Sequence, residues 1–456
     1  MINYNFFFYI ISYTYFLYTL FKVSNDSSEK NVKLIKSSAN RCGPLAIKLL
    51  QFIKASTPGF ISGESLNFVF EDNFVHEFNE TENIYLRDFK MSIHGSYSNF
   101  EVIGSGSIGQ VYKCYCKTRQ QFVALKVKHP QINKIVNETV YALRIACWLL
   151  RPFNKFDSIC REYINNIFLQ IDYIKEVENT KRLRHNFRNE TVIVVPEIYN
   201  YTENIIIMSY HEATNYSKLN EHEKLLASMY MNFMFLTSII IHDFLHSDLH
   251  QGNWKVIREN NDIKILMYDC GIMSSTGNYN VNYEIVNVVT SGKSNHINVL
   301  EILKMCDKQF DIEKYRPEIM SILNRYDERE SFLCFSSVIR RLVDLRLIKD
   351  PNLINMLTSI AVLGDTPAKS INVIIRHIIY PAGTNALLFH IYIGLLTKMN
   401  RFLELRNYLI DYLNKDKFKQ NLFSDWLFEE FGHRKGHILT DVIYKQFFPE
   451  NDDNQI

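Results

Sequence analysis

The spacing of apolar residues predicts a β-sheet in the N-terminal half of the chain. Residues 99–128 hold three short runs of β-branched and aromatic residues, separated by glycines and by the polar turn 117–121. Runs of this length with such turns are typical of an antiparallel meander. Two further apolar runs, 191–201 and 204–212, predict two more strands.

Helical spacing of apolar residues dominates the rest of the chain. It occurs in 43–56, and again from about 131 to 186, where there is no glycine and Pro152 is the only proline. The stretch 225–246 predicts one long buried helix, and a strand is expected soon after it at 263–271. The remainder is almost entirely helical, with helix boundaries expected at Pro351, Pro381 and Gly383.

The first apolar run is uncharged but short for a membrane span. Residues 6–21 carry no charge, and Lys22 follows them directly. A helix needs about 20 apolar residues to cross a bilayer, and many residues of this run are Tyr, Ser or Thr. The run therefore predicts either a membrane anchor or an aromatic segment packed on the protein. A span would leave the main body on the cytoplasmic or matrix-like side, because lysines follow it.

The composition argues against nucleic-acid binding and against a zinc or disulfide framework of cysteines. The 456 residues include 51 basic and 49 acidic side chains, a formal net charge of +2, with no sustained basic run interleaved with aromatics. This balance gives no reason to expect nucleic-acid binding. Apolar residues make up 47% of the chain, enough for a sizeable core. The eight cysteines are sparse and lack zinc-type spacing, so free thiols are expected.

The stretch VIGSGSIGQVYKC carries a candidate phosphate-binding turn with G-x-G-x-x-G spacing. Glycines allow backbone N–H groups to approach phosphate oxygens closely. A dinucleotide-binding turn does not fit the context, because its glycines open a helix, whereas QVYKCYC is typical of a strand. The candidate nucleotide-binding residues are Gly104, Gly106, Ser107, Gly109 and Val111.

Four further residues follow in the order and spacing of a kinase active site. Lys126 of VALK lies on the predicted third strand, where its ammonium group would neutralise the α and β phosphates of a nucleotide. Asp248 and Asn253 of HSDLHQGN have the offset of the kinase catalytic loop. The carboxylate can orient or deprotonate an attacking hydroxyl or water, and the amide oxygen can hold a metal ion. Asp269 of DCG takes the position of the second metal ligand, with Cys270 in place of phenylalanine.

Taken in order, these motifs resemble the UbiB/aarF-domain (ADCK) family of atypical kinases. SIGQVYKC is similar to the loop of that family, VALKVKHP to its lysine strand, and HSDLHQGN to its H-x-D-L-H-P-G-N catalytic loop. The resemblance covers roughly residues 40–275, and GSGSIGQVYK with DCGI resembles the branch of the human mitochondrial member numbered two. A small-molecule kinase of the aminoglycoside or choline type shares H-x-D-L-H-x-G-N but lacks the N-terminal extension of this family.

The resemblance also assigns residues outside the kinase-type motifs. GPLAIKLLQ is similar to the K-x-G-Q motif of the family's extension and gives Lys48 and Gln51, and QIDYIKEVENTKRL is similar to its E-x-D segment, giving Asp172. Two positions depart from the family pattern, since the glycine of the first motif is Leu50 and the first acid of the second is Gln170. These departures put in doubt the contact by which the extension restricts access to the active site.

The resemblance further implies a partner for the strand lysine and an unusual loop. Glu176 is the implied partner of Lys126, while Glu138 lies on another predicted helix as the alternative. Many members of the family carry an alanine-rich loop that is associated with poor protein-kinase activity. Here the loop is Gly104-Ser-Gly106-Ser, which restores ordinary kinase spacing and should ease the positioning of a γ-phosphate.

The fold implied by the resemblance is α+β: a protein-kinase-like bilobal fold with a small antiparallel β lobe and a large helical lobe, preceded by a helical extension and followed by a helical tail. The expected segments are 1–25 (apolar segment), 26–98 (extension), 99–210 (N-lobe) and 211–456 (C-lobe and tail).

The implied activity is that of an ATP- and Mg²⁺-dependent kinase or ATPase, with Asp248, Lys126 and Glu176 as its catalytic residues. The family further implies a role near isoprenoid lipids or coenzyme Q at a mitochondrial or other membrane. The expected partners are ATP or ADP and a membrane lipid or isoprenoid intermediate. The alternative is a nucleotide-binding pseudokinase without useful phosphoryl transfer, which the changes at Leu50, Gln170 and Cys270 motivate.

Overall fold

The protein is described here by a computed structural model. The described residues are 4–25, 29–56, 75–150, 157–188, 192–240, 242–249, 252–259, 262–290, 293–326, 331–348 and 350–363. The helix boundaries predicted at Pro381 and Gly383 lie outside these residues.

A five-stranded antiparallel sheet and two smaller sheets lie among many helices. The strands are β1 (Tyr97–Ser105), β2 (Gly109–Cys116), β3 (Gln121–Lys128), β4 (Ile193–Val194), β5 (Ile198–Tyr201), β6 (Ile205–Ser209), β7 (Leu245–His246), β8 (Trp254–Glu259), β9 (Asp262–Met267) and β10 (Met273–Ser274). The helices of the first half are α1 (Tyr4–Asn25), α2 (Glu29–Cys42), α3 (Pro44–Ser56), α4 (Phe78–Phe89), α5 (Ile93–Ser96), α6 (Ile132–Leu149), α7 (Asp157–Gln170) and α8 (Tyr173–Asn186). Those of the second half are α9 (Glu221–Ile240), α10 (Tyr279–Thr290), α11 (Val299–Cys306), α12 (Ile312–Leu323), α13 (Ser331–Asp344) and α14 (Pro351–Leu363), with short 3-10 helices at Tyr216–Lys218 and Lys293–Asn298.

The large sheet confirms the predicted meander and the strand at 204–212, whereas the run 191–201 is divided into β5 of this sheet and β4, which pairs with β9 in a smaller sheet. Its order is β1-β2-β3-β6-β5, and every pair of neighbours is antiparallel. Side chains alternate between the two faces of a strand, so Val123, Leu125 and Val127 of β3 are buried in one core while Lys126 lies on the other face. That core is completed by Ile84 and Tyr85 of α4. The alternation thus places the strand lysine on the face opposite α4.

The first apolar run forms α1, and one of its faces is packed against the rest of the protein. Tyr13, Phe16, Leu17 and Leu20 are buried in a core shared with α2 and α6. The other face, which includes Ile11, is exposed. Among the described residues, no helix combines the length and the apolar character that a membrane crossing requires.

The predicted long helix at 225–246 is wrong at its C-terminal end. The helix α9 ends at Ile240, and Asp243 adopts a φ of 42°, in the left-handed region that a right-handed helix cannot contain. Leu245 and His246 then form β7, which pairs with β10. The apolar residues that extended the predicted helix are buried in this turn and strand instead.

A third and larger core holds the helical part together. It joins α9 to the β8–β9 hairpin and to α10, α11, α12, α13 and α14. The predicted strand at 263–271 is shorter in the structure and corresponds to β9. All eight cysteines are free, as expected.

Candidate active site

The glycine-rich turn closes the β1–β2 hairpin. Gly104 pairs with Val111 across the two strands, and the amide of Gly106 donates to the carbonyl oxygen of Gly109 at 2.9 Å. Around Gly104 there is open space where a Cβ would lie. A Cβ on Gly109 would instead lie 2.6 Å from the carbonyl oxygen of Val127 and against the hydroxyl of Tyr173. Only at Gly109, therefore, does the protein itself require glycine for steric reasons.

Lys126 lies next to this turn and contacts two carboxylates. Its neighbour across the β2–β3 ladder is Val111, which itself pairs with Gly104. The Nζ atom is 2.6 Å from Oε1 of Glu176 and 3.5 Å from Oδ1 of Asp269. The structure thus pairs the strand lysine with the acid that the resemblance implied.

The alternative acid, Glu138, lies 4.0 Å from Lys134 on its own helix α6. Burial by itself would lower the pKa of Lys126, but the carboxylates of Asp269 and Glu176 outweigh burial and raise the pKa above its ordinary range. The lysine therefore remains a cation at neutral pH, as an ammonium group that binds phosphate must be.

The catalytic-loop motif and the DCG motif are tied together by backbone contacts. The carbonyl oxygen of Asp269 accepts from Nε2 of His246 at 2.8 Å, so the other ring nitrogen is the acceptor for the amide of Asp248 at 3.2 Å. The amide nitrogen of Asn253 donates to the carbonyl oxygen of Asp248 at 2.7 Å. Asp269 itself has a φ of 63°, a left-handed conformation that aspartate tolerates better than most residues. The four residues therefore form one connected unit.

Gln170 and Asn179 reach this unit from neighbouring helices. Gln170 Nε2 lies 3.4 Å from Asp248 Oδ2, and Asn179 Nδ2 donates to the carbonyl oxygen of Cys270 at 2.9 Å. Sequence reasoning missed Asn179. The available signal was its position three residues after Glu176, which puts both residues on the same face of α8.

Sequence reasoning also missed the structural part played by Asp243. Its carboxylate accepts from the hydroxyl of Ser275 at 2.6 Å and from the amides of Thr276 and Gly277 at 2.9 and 2.8 Å. Burial would raise the pKa of this carboxyl, but these hydrogen bonds outweigh burial and lower it. Asp243 therefore fixes the segment after DCG to the turn that precedes the catalytic loop.

The extension residues lie on helices adjoining this region. Lys48 lies on α3, which packs against α7, and the side chain of Gln51 is outside the described part of the chain. Leu50, which replaces the family's glycine, is fully buried. Asp172 caps α8 by accepting from the amide of Lys175 at 2.9 Å. Within the described residues, no hydrogen bond or ion pair joins Lys48 to the candidate site.

The side-chain oxygen atoms of Asn253 and Asp269 suit a hard cation. The amide nitrogen of Asn253 is committed to Asp248, which leaves the amide oxygen as the atom for a metal ion, and Asp269 supplies a carboxylate. Within the described part of the chain, no group of three or more His, Cys, Asp or Glu side chains is arranged to hold a metal. Mg²⁺ does not need such a group, because it typically binds one or two carboxylates together with substrate phosphates.

Comparison with known proteins gives a consistent family assignment. The profile described as "ABC1 atypical kinase-like domain" matches residues 72–302. A relative from Serratia proteamaculans, named "Probable protein kinase UbiB", is 28% identical over 221 residues, which are 44% of this chain and 40% of the relative. A relative of the same name from Cellvibrio japonicus is 32% identical over 177 residues, covering 35% of this chain and 31% of the relative.

These matches cover less than half of each curated relative. A third, from Blochmanniella pennsylvanica and again named "Probable protein kinase UbiB", is 24% identical over 229 residues, 46% of this chain and 42% of the relative. Among solved structures, the complex of Rv3197 with erythromycin from Mycobacterium tuberculosis aligns at a TM-score of 0.42 and 13% identity, covering 74% of this chain and 97% of that one. A likeness at that score carries no argument here.

Proposed function

The chain belongs to the ABC1 atypical kinase-like family, and from this premise we propose that it is an ATP- and Mg²⁺-dependent kinase or ATPase. The observation that carries the proposal is the position of Lys126. Its ammonium group contacts Glu176 at 2.6 Å and Asp269 at 3.5 Å, and its strand pairs directly with the strand that leaves the glycine-rich turn. A partly buried cation in this position can bind nucleotide phosphates while Glu176 fixes its orientation.

In the proposed reaction, the chain supplies positioning and electrostatic stabilisation. Backbone amides of the turn at Gly104, Gly106 and Gly109 receive the phosphates, and Lys126 neutralises their charge. Asp248 orients the attacking hydroxyl or water and accepts its proton. The attacking oxygen bonds to the γ phosphorus while the bond from that phosphorus to the β–γ bridging oxygen breaks, so that ADP leaves.

Asn253 and Asp269 are the residues proposed to hold Mg²⁺. When bound, the ion neutralises charge on the phosphates. Because Nδ2 of Asn253 donates to the carbonyl oxygen of Asp248, the side-chain oxygen of Asn253 is turned away from that carbonyl oxygen. The left-handed backbone of Asp269 and the hydrogen bond from His246 to its carbonyl oxygen hold the carboxylate next to Lys126.

We further propose that the sheet and the helical part are the two lobes of a kinase-like fold, with the nucleotide between them. The segment boundaries near residues 25, 98 and 210 belong to this proposal, as does a kinship with the branch of the human mitochondrial member numbered two. A membrane lipid or isoprenoid intermediate as a partner, coenzyme Q metabolism as the setting, and a mitochondrial or other membrane as the location also remain proposals. They rest on the family resemblance.

Turnover of ATP by the purified full-length chain tests the activity. We expect Mg²⁺-dependent release of ADP that falls at least 100-fold in Asp269→Asn. The matched control is Asp307→Asn, at an exposed aspartate whose carboxylate accepts a local backbone bond from Gln309 that asparagine can also accept. Wild-type protein that binds ATP tightly but releases no ADP, with or without lipid vesicles, would contradict the enzyme proposal.

A nucleotide-binding pseudokinase is the second candidate. Gln170 favours it, because an amide stands where the family has an acid and contacts the carboxylate of Asp248 at 3.4 Å. In this case ATP would shift the thermal stability of the protein without turnover. Restoring the acid in Gln170→Glu would then change ATP binding but not produce ADP.

A further inference from the structure

A buried histidine, His129, contacts the glycine-rich turn. His129 directly follows β3, and the Nε2 atom of its ring is 2.7 Å from the carbonyl oxygen of Gly106. The amide of the same histidine donates to the carbonyl oxygen of Ile108 at 2.9 Å. One residue therefore contacts two of the four peptide groups that form the turn. His129 is only 3% exposed, so its ring is fixed by packing.

The ring of His129 is in turn held by His76, which precedes α4. The two Nδ1 atoms are 2.7 Å apart, and Nε2 of His76 is 2.7 Å from the hydroxyl of Thr81. That hydroxyl is 2.9 Å from the hydroxyl of Tyr112, to which Nε2 of Gln110 donates at 2.7 Å. The result is a buried chain of hydrogen bonds that runs from strand β2 to the turn.

The two ends of this chain determine the direction of every bond in it. A carbonyl oxygen can only accept, so Nε2 of His129 carries a proton and, in the neutral ring, Nδ1 is the acceptor. His76 must then donate from its own Nδ1 and accept at Nε2 from Thr81. Tyr112 donates to Thr81 and accepts from Gln110, whose NH₂ group can only donate. This order is consistent at all five bonds.

Burial favours the neutral form of both histidine rings. Burial and the neighbouring His129 lower the pKa of His76 to about 4, and burial lowers the pKa of His129. Gly106 itself is exposed. The imidazole therefore ties an exposed residue of the turn to the buried histidine pair, which restricts where the turn can lie.

We propose that His129 is a positioning residue for the glycine-rich turn, and that His76 fixes the tautomer in which His129 donates to Gly106. The part that concerns nucleotide binding rests on the function proposed above. The part that concerns the turn does not, because the position of the turn can be measured without a nucleotide. Through its two rings, the pair also connects the segment before α4 to the backbone of the turn.

Four variants of the full-length chain test this inference. In His129→Phe the ring shape is kept and the donor is lost, whereas in His129→Gln the side-chain NH₂ can replace the Nε2 donor. In His76→Asn the side-chain NH₂ can replace the Nδ1 donor to His129. The matched control is His296→Phe, at a histidine that is 1% exposed and packs on Phe335 in the other core.

The first readout is amide hydrogen exchange of residues 104–110, with no ligand present. We expect exchange to be about tenfold faster in His129→Phe, and within about threefold of wild type in His129→Gln, His76→Asn and His296→Phe. Wild-type exchange in His129→Phe would overturn the inference. If His129→Phe does not fold, faster exchange in His76→Phe than in His76→Asn supports it, and equal exchange in those two overturns it.

The second readout is the Kd for ATP in the presence of Mg²⁺. We expect a rise of about tenfold in His129→Phe that His129→Gln largely reverses. If the wild-type protein binds no ATP, the function proposed above fails, while the exchange measurement still decides the role of His129. If exchange accelerates in His129→Phe but the Kd does not change, the turn does not bind the nucleotide and the coupling part of the inference is wrong.

Discussion

At the scale of single residues, the three glycines of the turn differ in what they require. We predict that Gly109→Ala lowers the free energy of unfolding by about 2–3 kcal/mol, because the new Cβ would meet the carbonyl oxygen of Val127, which cannot rotate away. A Cβ at Gly104 would meet open space, so Gly104→Ala should change the free energy of unfolding by less than about 1 kcal/mol. Urea unfolding of both variants measures this, and equal losses would contradict the prediction.

The contact of Lys126 with Glu176 gives a second prediction at this scale. Glu176→Gln should lower kcat for ATP turnover by roughly 10- to 100-fold, because the amide has no charge and leaves Asp269, which must also bind the metal, as the carboxylate in contact with Lys126. Glu138→Gln is the matched control, since that acid pairs with Lys134 and should leave kcat unchanged. A loss of kcat in both variants, or in neither, would show that the contact does not support catalysis.

Residues with a motif could be predicted from the sequence, and residues known only by their contacts could not. Lys126 and Asp269 follow from short patterns on a strand and after a hairpin. His76 and His129 are 53 residues apart, and nothing in the local sequence indicates that their rings meet. The same holds for Asp243, which looked like a polar interruption of a helix but binds a segment some 30 residues later.

At the scale of elements, α1 is the one whose environment the sequence left open. Its apolar run fitted either a membrane anchor or a packed segment, because periodicity does not say what covers a helix face. Leu20 is fully buried in the core with α2 and α6, whereas Ile11 is 67% exposed. Substitutions at Leu20 and Ile11 therefore test whether one face of α1 is packed.

We predict that Leu20→Ala lowers the free energy of unfolding by about 2–4 kcal/mol, through lost burial and the cavity that remains. Ile11→Ala on the exposed face should change it by no more than about 0.5 kcal/mol. Chemical denaturation of the full-length chain provides both numbers. If the two substitutions cost the same, α1 does not pack on α6 in solution.

The end of α9 shows how an element boundary can escape a pattern. Phe244 and Leu245 continue the apolar spacing of the helix, yet both are buried in the turn and strand that follow it. The left-handed backbone of Asp243 separates the two elements, and it is stabilised by hydrogen bonds from Thr276 and Gly277. Since these donors are distant in sequence, the boundary depends on tertiary contacts.

At the scale of the whole molecule, stability depends on pH through the buried histidine pair. His76 has a pKa of about 4 when folded and 6.5 as its ordinary value, so the unfolded chain takes up this proton first as pH falls. Above pH 6.5 the neutral His76 contributes fully to the free energy of unfolding. Up to about 3 kcal/mol of this contribution is lost as pH falls from 6.5 to 4.

Other groups titrate in the same range with the opposite sign. Burial raises the pKa of Glu162 to about 7, which favours the folded state as pH falls from 7. The difference in unfolding free energy between wild type and His76→Asn isolates the histidine. We expect wild type to lose stability relative to His76→Asn between pH 7 and pH 4.5 in urea titrations, and a difference that stays constant would contradict the assignment of a neutral ring.

The open space beside Gly104 has a consequence for how such loops change over time. The backbone of this turn can accept a methyl group there without any adjustment elsewhere in the protein. An exchange of this glycine for alanine, which the family resemblance implies for many members, would then leave folding nearly unchanged and act only through the ligand that we propose to bind there. Drift in either direction needs no compensating mutation, so selection on ligand chemistry alone can decide which form of the loop a lineage keeps.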